Sequence, residues 1–269
     1  CTGITMELYG SGDVMAPNGG LPPGLPARIT SPFIDYFCRY AGNNTVIVNG
    51  TSHGNAKGWG ANRDLYQDLT KNIAAEPKHL EDPISRNFSF ATQFLDDNVN
   101  NCDQQRTLST IRTSSTTAYY VDIFRSKSNG TNNFHDYVYH NIGDKTSLTN
   151  TNDEELSVSP TTRYQTDFGD VYKSPGWRLF EDTKATEGTS EAVKIRFDLE
   201  VTKRYMHMFV PGGVEREYTK ALGPATYEAL NGYVDKKTQI IAIRQQGEAW
   251  DRPYIGVFEP SLNANSSVQ

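Results

Sequence analysis

Short runs that alternate apolar and polar residues, separated by Gly-, Pro-, Asn- and Ser-rich turns, recur along the chain from about residue 85 to its end. They cover residues 88–94, 107–113, 118–124, 137–140, 193–202, 204–210, 239–244 and 254–258. A period of two sends one set of side chains into a core and the other away from it, so each run predicts a strand. Many such strands with turn signals between them predict an all-β chain, a large antiparallel two-sheet β-sandwich with long loops. Nearer the start, residues 4–10 alternate in the same way, and Val46 to Val48 form a short apolar strand ended by the Asn49-Gly50 turn signal. One segment departs from the pattern. Over residues 64–75, Leu65, Leu69 and Ile73 lie four apart, which predicts one short helix. Residues 10–26 are too broken by Gly and Pro for regular structure. Residues 144–192, rich in Thr, Ser, Asp and Glu, read as an insertion or a set of excursions over the sandwich face. The expected organisation is a sandwich domain over residues 1–260 and a polar, mobile tail over 261–269.

Composition sharpens this picture in a few places. Hydrophobic residues make up 36% of the 269, while Tyr (15), Phe (12) and Gly (22) are plentiful, which favours aromatic-rich strands and polar loops. The net charge of −6 and the absence of any Lys/Arg run argue against nucleic acid, whose phosphates need a concentrated basic surface. No stretch of about 18 apolar residues is present, so no membrane span is expected. Cys1, Cys38 and Cys102 show neither metal-ligand spacing nor an even disulfide framework. Cys1 could be the lipid-carrying first residue of a bacterial lipoprotein. Because residues 5–10 already read as an interior strand and turn, the expectation is a chain excised from a longer protein.

The chemistry concentrates in a hairpin. Tyr119-Tyr120-Val121-Asp122-Ile123-Phe124-Arg125 is followed, after a Gly/Asn turn, by His135-Asp136-Tyr137-Val138-Tyr139-His140. His135 and His140 lie five apart, which puts them on opposite faces of a strand and argues against a shared metal. His135, beside Asp136, is the candidate cleft histidine, since a neighbouring carboxylate can orient and charge an imidazole. Arg28, Arg39 and Arg125 are candidate clamps for a substrate carboxylate, which a guanidinium holds bidentately.

This hairpin resembles the central strands of the heparinase II/III-like polysaccharide lyases, where a "DVFRV" strand runs into an "HDY…H" strand. Three further segments extend the resemblance in the family's order: Arg39 to Gly50 (RYAGNNTVIVNG), Tyr205 to Gly212 (YMHMFVPG) and Arg252 to Pro260 (RPYIGVFEP). The resemblance implies a supersandwich-type β domain and the splitting of uronate-containing polysaccharides by β-elimination. In that reaction a base removes the C5 proton and an acid protonates the departing O4. It also implies a partner domain, an N-terminal helical toroid that supplies an Asn/His pair and a Tyr, with this chain as one wall of the cleft.

Family members carry substrate-facing Tyr residues where Tyr36 and Tyr40 stand, so with His135 these are the candidate catalytic residues. Arg28, Arg39, Asn43, His53 and Arg125 are the candidate substrate-binding residues, His53 because similar oligoalginate lyases carry a comparable run. The family's zinc corner, with a "PD-Gly" loop and an "HNTV" histidine, reads here Pro17-Asn18-Gly19 and Asn43-Asn44-Thr45-Val46. Amides are poor zinc ligands, so no cofactor is expected, and a hydrogen bond between Asn18 and Asn43 is expected to replace the ion. An oxygen-liganded calcium through Asp13 and Asn18 is the alternative. The expected partner is an acidic polysaccharide such as alginate or a glycosaminoglycan, and the expected location is the periplasm or the outside of a bacterium, with outer-membrane association an option. The rival readings are a non-catalytic carbohydrate-binding module and a purely structural sandwich.

Overall fold

The computed structural model describes residues 4–18, 36–37, 39–52, 70–98, 100–165, 174–229 and 232–268. In chain order the strands are β1 (Leu8–Gly10), β2 (Asp13–Ala16), β3 (Thr45–Val48), β4 (Thr70–Glu76), β5 (Phe88–Asp97), β6 (Cys102–Arg112), β7 (Ala118–Ser128) and β8 (Phe134–Asn141). They continue as β9 (Lys145–Thr149), β10 (Ser159–Pro160), β11 (Glu181–Ala185), β12 (Val193–Leu199), β13 (Arg204–Val210), β14 (Glu217–Gly223), β15 (Thr238–Gln246) and β16 (Ala249–Ser261). A six-stranded sheet runs β10-β11-β14-β15-β8-β3 and an eight-stranded sheet runs β4-β5-β6-β7-β16-β13-β12-β9, every pairing antiparallel. The expected all-β sandwich is therefore present. Among the described residues no helix is long and apolar enough to cross a membrane.

Two separate apolar clusters explain the burial pattern. The larger lies between the sheets, where Val46, Tyr137, Tyr139, Tyr218, Ile241 and Ile243 of one meet Leu95, Phe124, Phe197, Met206, Met208 and Phe258 of the other. The smaller lies on the outer face of the six-stranded sheet, where Ile47, Val138, Ala221, Ile240 and Ala242 are covered by Tyr36, Phe37, Tyr40, Tyr164, Trp177 and Phe180. Strand β15 sits under both. Its residues are buried from Thr238 to Gln245, so its sequence reads Ile-Ile-Ala-Ile without a polar alternate.

Two segments differ from expectation. The described part of the segment predicted as a helix, residues 70–75, lies in β4, an edge strand paired with β5 through a bulge between Asn72 and Ala74. Ile73 is 55% exposed there, so it adds nothing to a buried apolar stripe, and ladder hydrogen bonds with β5 decide the conformation. Residues 64–69 lie outside the described residues. The supposed excursions over 144–192 contain β9, which edges the larger sheet, and β10 and β11, which edge the smaller.

Ile241 is fully buried in the inter-sheet core. Ile241→Ala is expected to lower unfolding free energy by about 2–5 kcal/mol in urea titrations with an unchanged slope; a cost within 0.5 kcal/mol would mean that the two sheets do not close on one another as described.

Candidate functional site

Alternation along β8 divides its polar residues between two environments. His135, Tyr137 and Tyr139 point between the sheets, and Asp136, Val138 and His140 point to the covered outer face. His135 Nδ1 lies 2.5 Å from Ser126 Oγ on β7, and its Nε2 lies 3.1 Å from Asn132 Oδ1. Burial pushes its imidazole down to about 4. His140 instead meets Tyr36, whose hydroxyl is 2.9 Å from Nε2.

The tautomer of His140 follows from its neighbour Asn44. Asn44 Nδ2 donates to the carbonyls of Met6 (2.9 Å) and Pro17 (3.1 Å), which fixes the orientation of the amide. Its Oδ1 then accepts from the backbone N–H of His140 at 2.7 Å and faces His140 Nδ1 at 3.0 Å. Nδ1 must carry the proton, which leaves a lone pair on Nε2 to accept from the Tyr36 hydroxyl. Burial pushes His140 down to about 3 and holds the Tyr36 phenol well above its usual range. The pair is therefore neutral, with the shared proton on the phenol.

The backbone is shaped around Tyr36. A Cβ on Gly223 would stand 2.6 Å from the Tyr36 hydroxyl and 2.5 Å from Ile240 Cδ1. A Cβ on Gly42 would stand 2.4 Å from the Tyr36 carbonyl oxygen, so the turn Tyr40–Gly42 closes against Tyr36 only because no side chain intervenes. Arg39 is buried and donates through NH1 to the Ser174 carbonyl at 3.0 Å, and the Tyr40 hydroxyl donates to Asp97 at 2.8 Å. Asn43 Nδ2 donates to the carbonyls of Phe37 (3.2 Å) and Arg39 (2.6 Å).

Further along the same face, Asp136 holds Arg244 bidentately at 2.8 and 2.7 Å and accepts from the Tyr164 hydroxyl at 2.8 Å. The guanidinium lies 3.9 Å from the Phe134 ring centroid, with Tyr164 and Trp177 at 5.4 and 5.8 Å. Burial first, and then Asp136, raise the Tyr164 phenol, which keeps it a donor.

The structure thus brings Tyr36, Arg39, Tyr40 and Asn43 together in one segment, and adds His140, Asn44, Asp136 and Arg244, which the sequence did not single out for this face. His135 lies on the opposite face of β8 from Tyr36. Arg125 lies on the outer face of the eight-stranded sheet, where its NH1 donates to the Trp250 carbonyl. Arg28 and His53 lie outside the described residues. Asn18 and Asn43 do not bridge: Asn18 Oδ1 accepts from the Asn44 backbone N–H at 3.1 Å and from the Thr5 hydroxyl, and Asp13 is paired with Arg204. No group of three His, Cys, Asp or Glu side chains is disposed to hold a metal among the described residues. The amides at this corner are engaged in structural hydrogen bonds and do not fit a zinc ion.

The chain is a β-sandwich that carries a neutral Tyr36–His140 pair and an Asp136–Arg244 pair stacked on aromatic rings on one covered face. No family model matches the chain. Over all 269 residues it is 62% identical to an endo-acting ulvan lyase of Formosa agariphila, and it spans 33% of that protein's length. The chain is thus related to about a third of a polysaccharide lyase. Among solved structures, a heparinase III aligns with 97% of this chain and 30% of its own, at a TM-score of 0.45 and 11% identity.

The two depressed histidines make stability depend on pH. An imidazole with an ordinary value near 6.5 when unfolded and about 3 when folded takes up its proton mainly in the unfolded state. Stability therefore rises with pH between about 3 and 6.5 and falls as pH drops through that window, by up to about 1.4 kcal/mol per pH unit for each such group. His140→Gln is expected to give a shallower fall in chemical-denaturation midpoints from pH 6.5 to 4.5; an unchanged slope would mean that His140 titrates normally in the fold.

Proposed function

We propose that the chain is the β-sandwich module of a polysaccharide lyase that cleaves a uronate-containing polysaccharide, ulvan being the first candidate, by β-elimination. The observation that carries this reading is the 62% identity, over the whole of this chain, to part of an endo-acting ulvan lyase. The face bearing Tyr36, Arg39, Asn43 and His140 is the part of the sandwich we assign to the substrate cleft. In this reading a helical toroid elsewhere in the protein forms the other wall, and the protein is exported by a bacterium.

The pKa order restricts the roles. Since His140 is pushed down to about 3 and Tyr36 is pushed up, the pair does not ionise itself to give a tyrosinate base at neutral pH. Tyr36 is better suited to act as the acid: the C5 proton goes to a base outside the described residues, the C4–O4 bond breaks as the C4–C5 double bond forms, and O4 takes the phenolic proton. His140 and Asn44 hold the phenol in place. Arg39, beside Tyr36 in the chain, is the candidate for the uronate carboxylate. The corner at Asn18 and Asn43 takes no part through a metal.

A second reading has one observation in its favour. Tyr36, Tyr40, His135 and His140 are each at most 1% exposed, as expected of groups that only hold the sandwich together beside a catalytic or binding domain.

The full-length natural protein should be assayed against ulvan, alginate, heparan sulfate and chondroitin sulfate by the ultraviolet absorbance of the unsaturated uronate. Absorbance growth with ulvan is expected, and Tyr36→Phe should lower kcat by about 10²–10⁴-fold with the fold retained. Turnover unchanged in a folded Tyr36→Phe protein would leave the phenol a structural group and favour the second reading.

A further inference from the structure

The outer face of the eight-stranded sheet, on the far side of the molecule from Tyr36, carries a groove of about 740 Å³. That volume lies within the range of small-ligand sites. Its floor is a grid of outward residues on four strands. Ser147 of β9 stands opposite Arg196 of β12, which stands opposite His207 of β13, which stands opposite Glu259 of β16. Lys194 occupies the next outward position on β12, and Lys145 the next on β9.

One wall is the turn that follows β9 and the other is the C-terminal segment 264–268, which folds back onto the sheet. The Ser266 hydroxyl, the Ser267 hydroxyl and the Ser267 backbone N–H all donate to Glu259. The His207 Nε2 sits 2.9 Å from the Asn263 carbonyl.

Charged side chains in this groove have partners. Arg196 is gripped by Asp198 through Nε at 2.7 Å and NH2 at 3.2 Å, and Lys194 by Asp153 at 2.9 Å and the Thr151 carbonyl at 3.1 Å. The Tyr205 and His207 rings stack at 6.1 Å with an interplanar angle of 22°, and the Arg196 guanidinium lies 5.9 Å from the Tyr205 centroid. Lys145 makes no ion pair among the described residues.

A solvated sheet face needs none of this. Charged side chains neutralised by partners and set around the Ser147 and Thr149 hydroxyls match a polyhydroxylated ligand. Each hydroxyl of such a ligand both donates and accepts. The balance of paired charges disfavours a nucleic acid. Lys145 at the mouth suits a single acidic substituent.

We propose that this groove is a second, non-catalytic saccharide subsite that holds a polymer chain away from the cleft. The identity of the ligand rests on the lyase reading above. Two variants of the full-length natural protein test it, Arg196→Ala, which removes a polar anchor, and Ser147→Tyr, which fills the groove and leaves every charge in place. Affinity electrophoresis in ulvan gels is read beside the ultraviolet assay on short ulvan oligosaccharides. Arg196→Ala should bind the polymer about ten-fold more weakly, the worth of one charge-assisted hydrogen bond, Ser147→Tyr should weaken it at least as much by excluding the chain, and both should turn over short oligosaccharides as the natural protein does. If both variants bind the polymer like a natural protein that cleaves ulvan, the subsite is overturned and the lyase reading stands. If the natural protein neither binds nor cleaves ulvan, alginate, heparan sulfate or chondroitin sulfate, both fall.

Discussion

The guanidinium of Arg106, on β6 of the larger sheet, is the interaction on which the covered face depends. It is 4% exposed and its donors are spent inside the fold: Nε and NH2 on Asp122 at 2.8 and 2.7 Å, and NH1 on the carbonyls of Ile4 (3.0 Å) and Asn44 (2.7 Å). Tyr137 of β8 donates to the same Asp122 at 2.8 Å. One buried cation therefore joins β6, β7, β8, the first described residues and the segment entering β3. A buried ion pair of this kind adds little over an apolar pair, but breaking one partner leaves an uncompensated charge at about 3–5 kcal/mol. Its structural consequence is placement. Arg106 fixes the Asn44 carbonyl, Asn44 fixes the tautomer of His140, and His140 receives the Tyr36 hydroxyl.

The same logic explains how the six-stranded sheet tolerates Asp136, His140 and Arg244 on a face that is closed to water. Burial of an unpaired charge would be prohibitive, and each group escapes that cost differently. Asp136 and Arg244 neutralise one another and have the Tyr164 phenol and the Phe134 and Trp177 rings around them. His140 loses its proton instead, since a neutral imidazole with both nitrogens hydrogen-bonded carries no net charge into the interior. His140 and the Asp136–Arg244 pair thus add no net charge to this face, on which Arg39 is also buried and donates to the Ser174 carbonyl.

The strands were legible because a half-buried strand writes its period into the sequence, as 193–199, 204–210 and 118–128 do. Strand β14, Glu-Tyr-Thr-Lys-Ala-Leu-Gly, escaped because it lies beside β15 with both faces covered, and small residues such as Ala221 and Gly223 serve packing there rather than alternation. The predicted helix at 64–75 failed over its described part because an exposed edge strand has no face to advertise. For the candidate site, residues 36–44 were legible as a run of Tyr, Arg and Asn, and parity placed His135 and His140 on opposite faces. Parity does not say which face meets Tyr36, since that contact joins residues 104 apart through the pairing of β3 with β8. Likewise, Asn44 enters the sequence reading only as part of the Asn43-Asn44-Thr45-Val46 segment, and its own role shows when its amide is seen between Met6, Pro17 and His140.

The closed pair also bears on what a lyase built on this module would need. A phenol raised by burial gives up its proton only to an atom that becomes strongly basic, and the departing O4 of a uronate glycoside is such an atom at the moment the C4–O4 bond breaks. A dry site favours that timing, since water would otherwise solvate the phenol and the leaving oxygen alike and weaken the discrimination between ground and transition state. Full enclosure of Tyr36 is then compatible with catalysis only if saccharide binding itself exposes the phenol to O4, so the turn closed by Gly42 and the clearance left by Gly223 matter as much as the acid. These two glycines let the backbone lie tight against Tyr36 without holding it by a side chain.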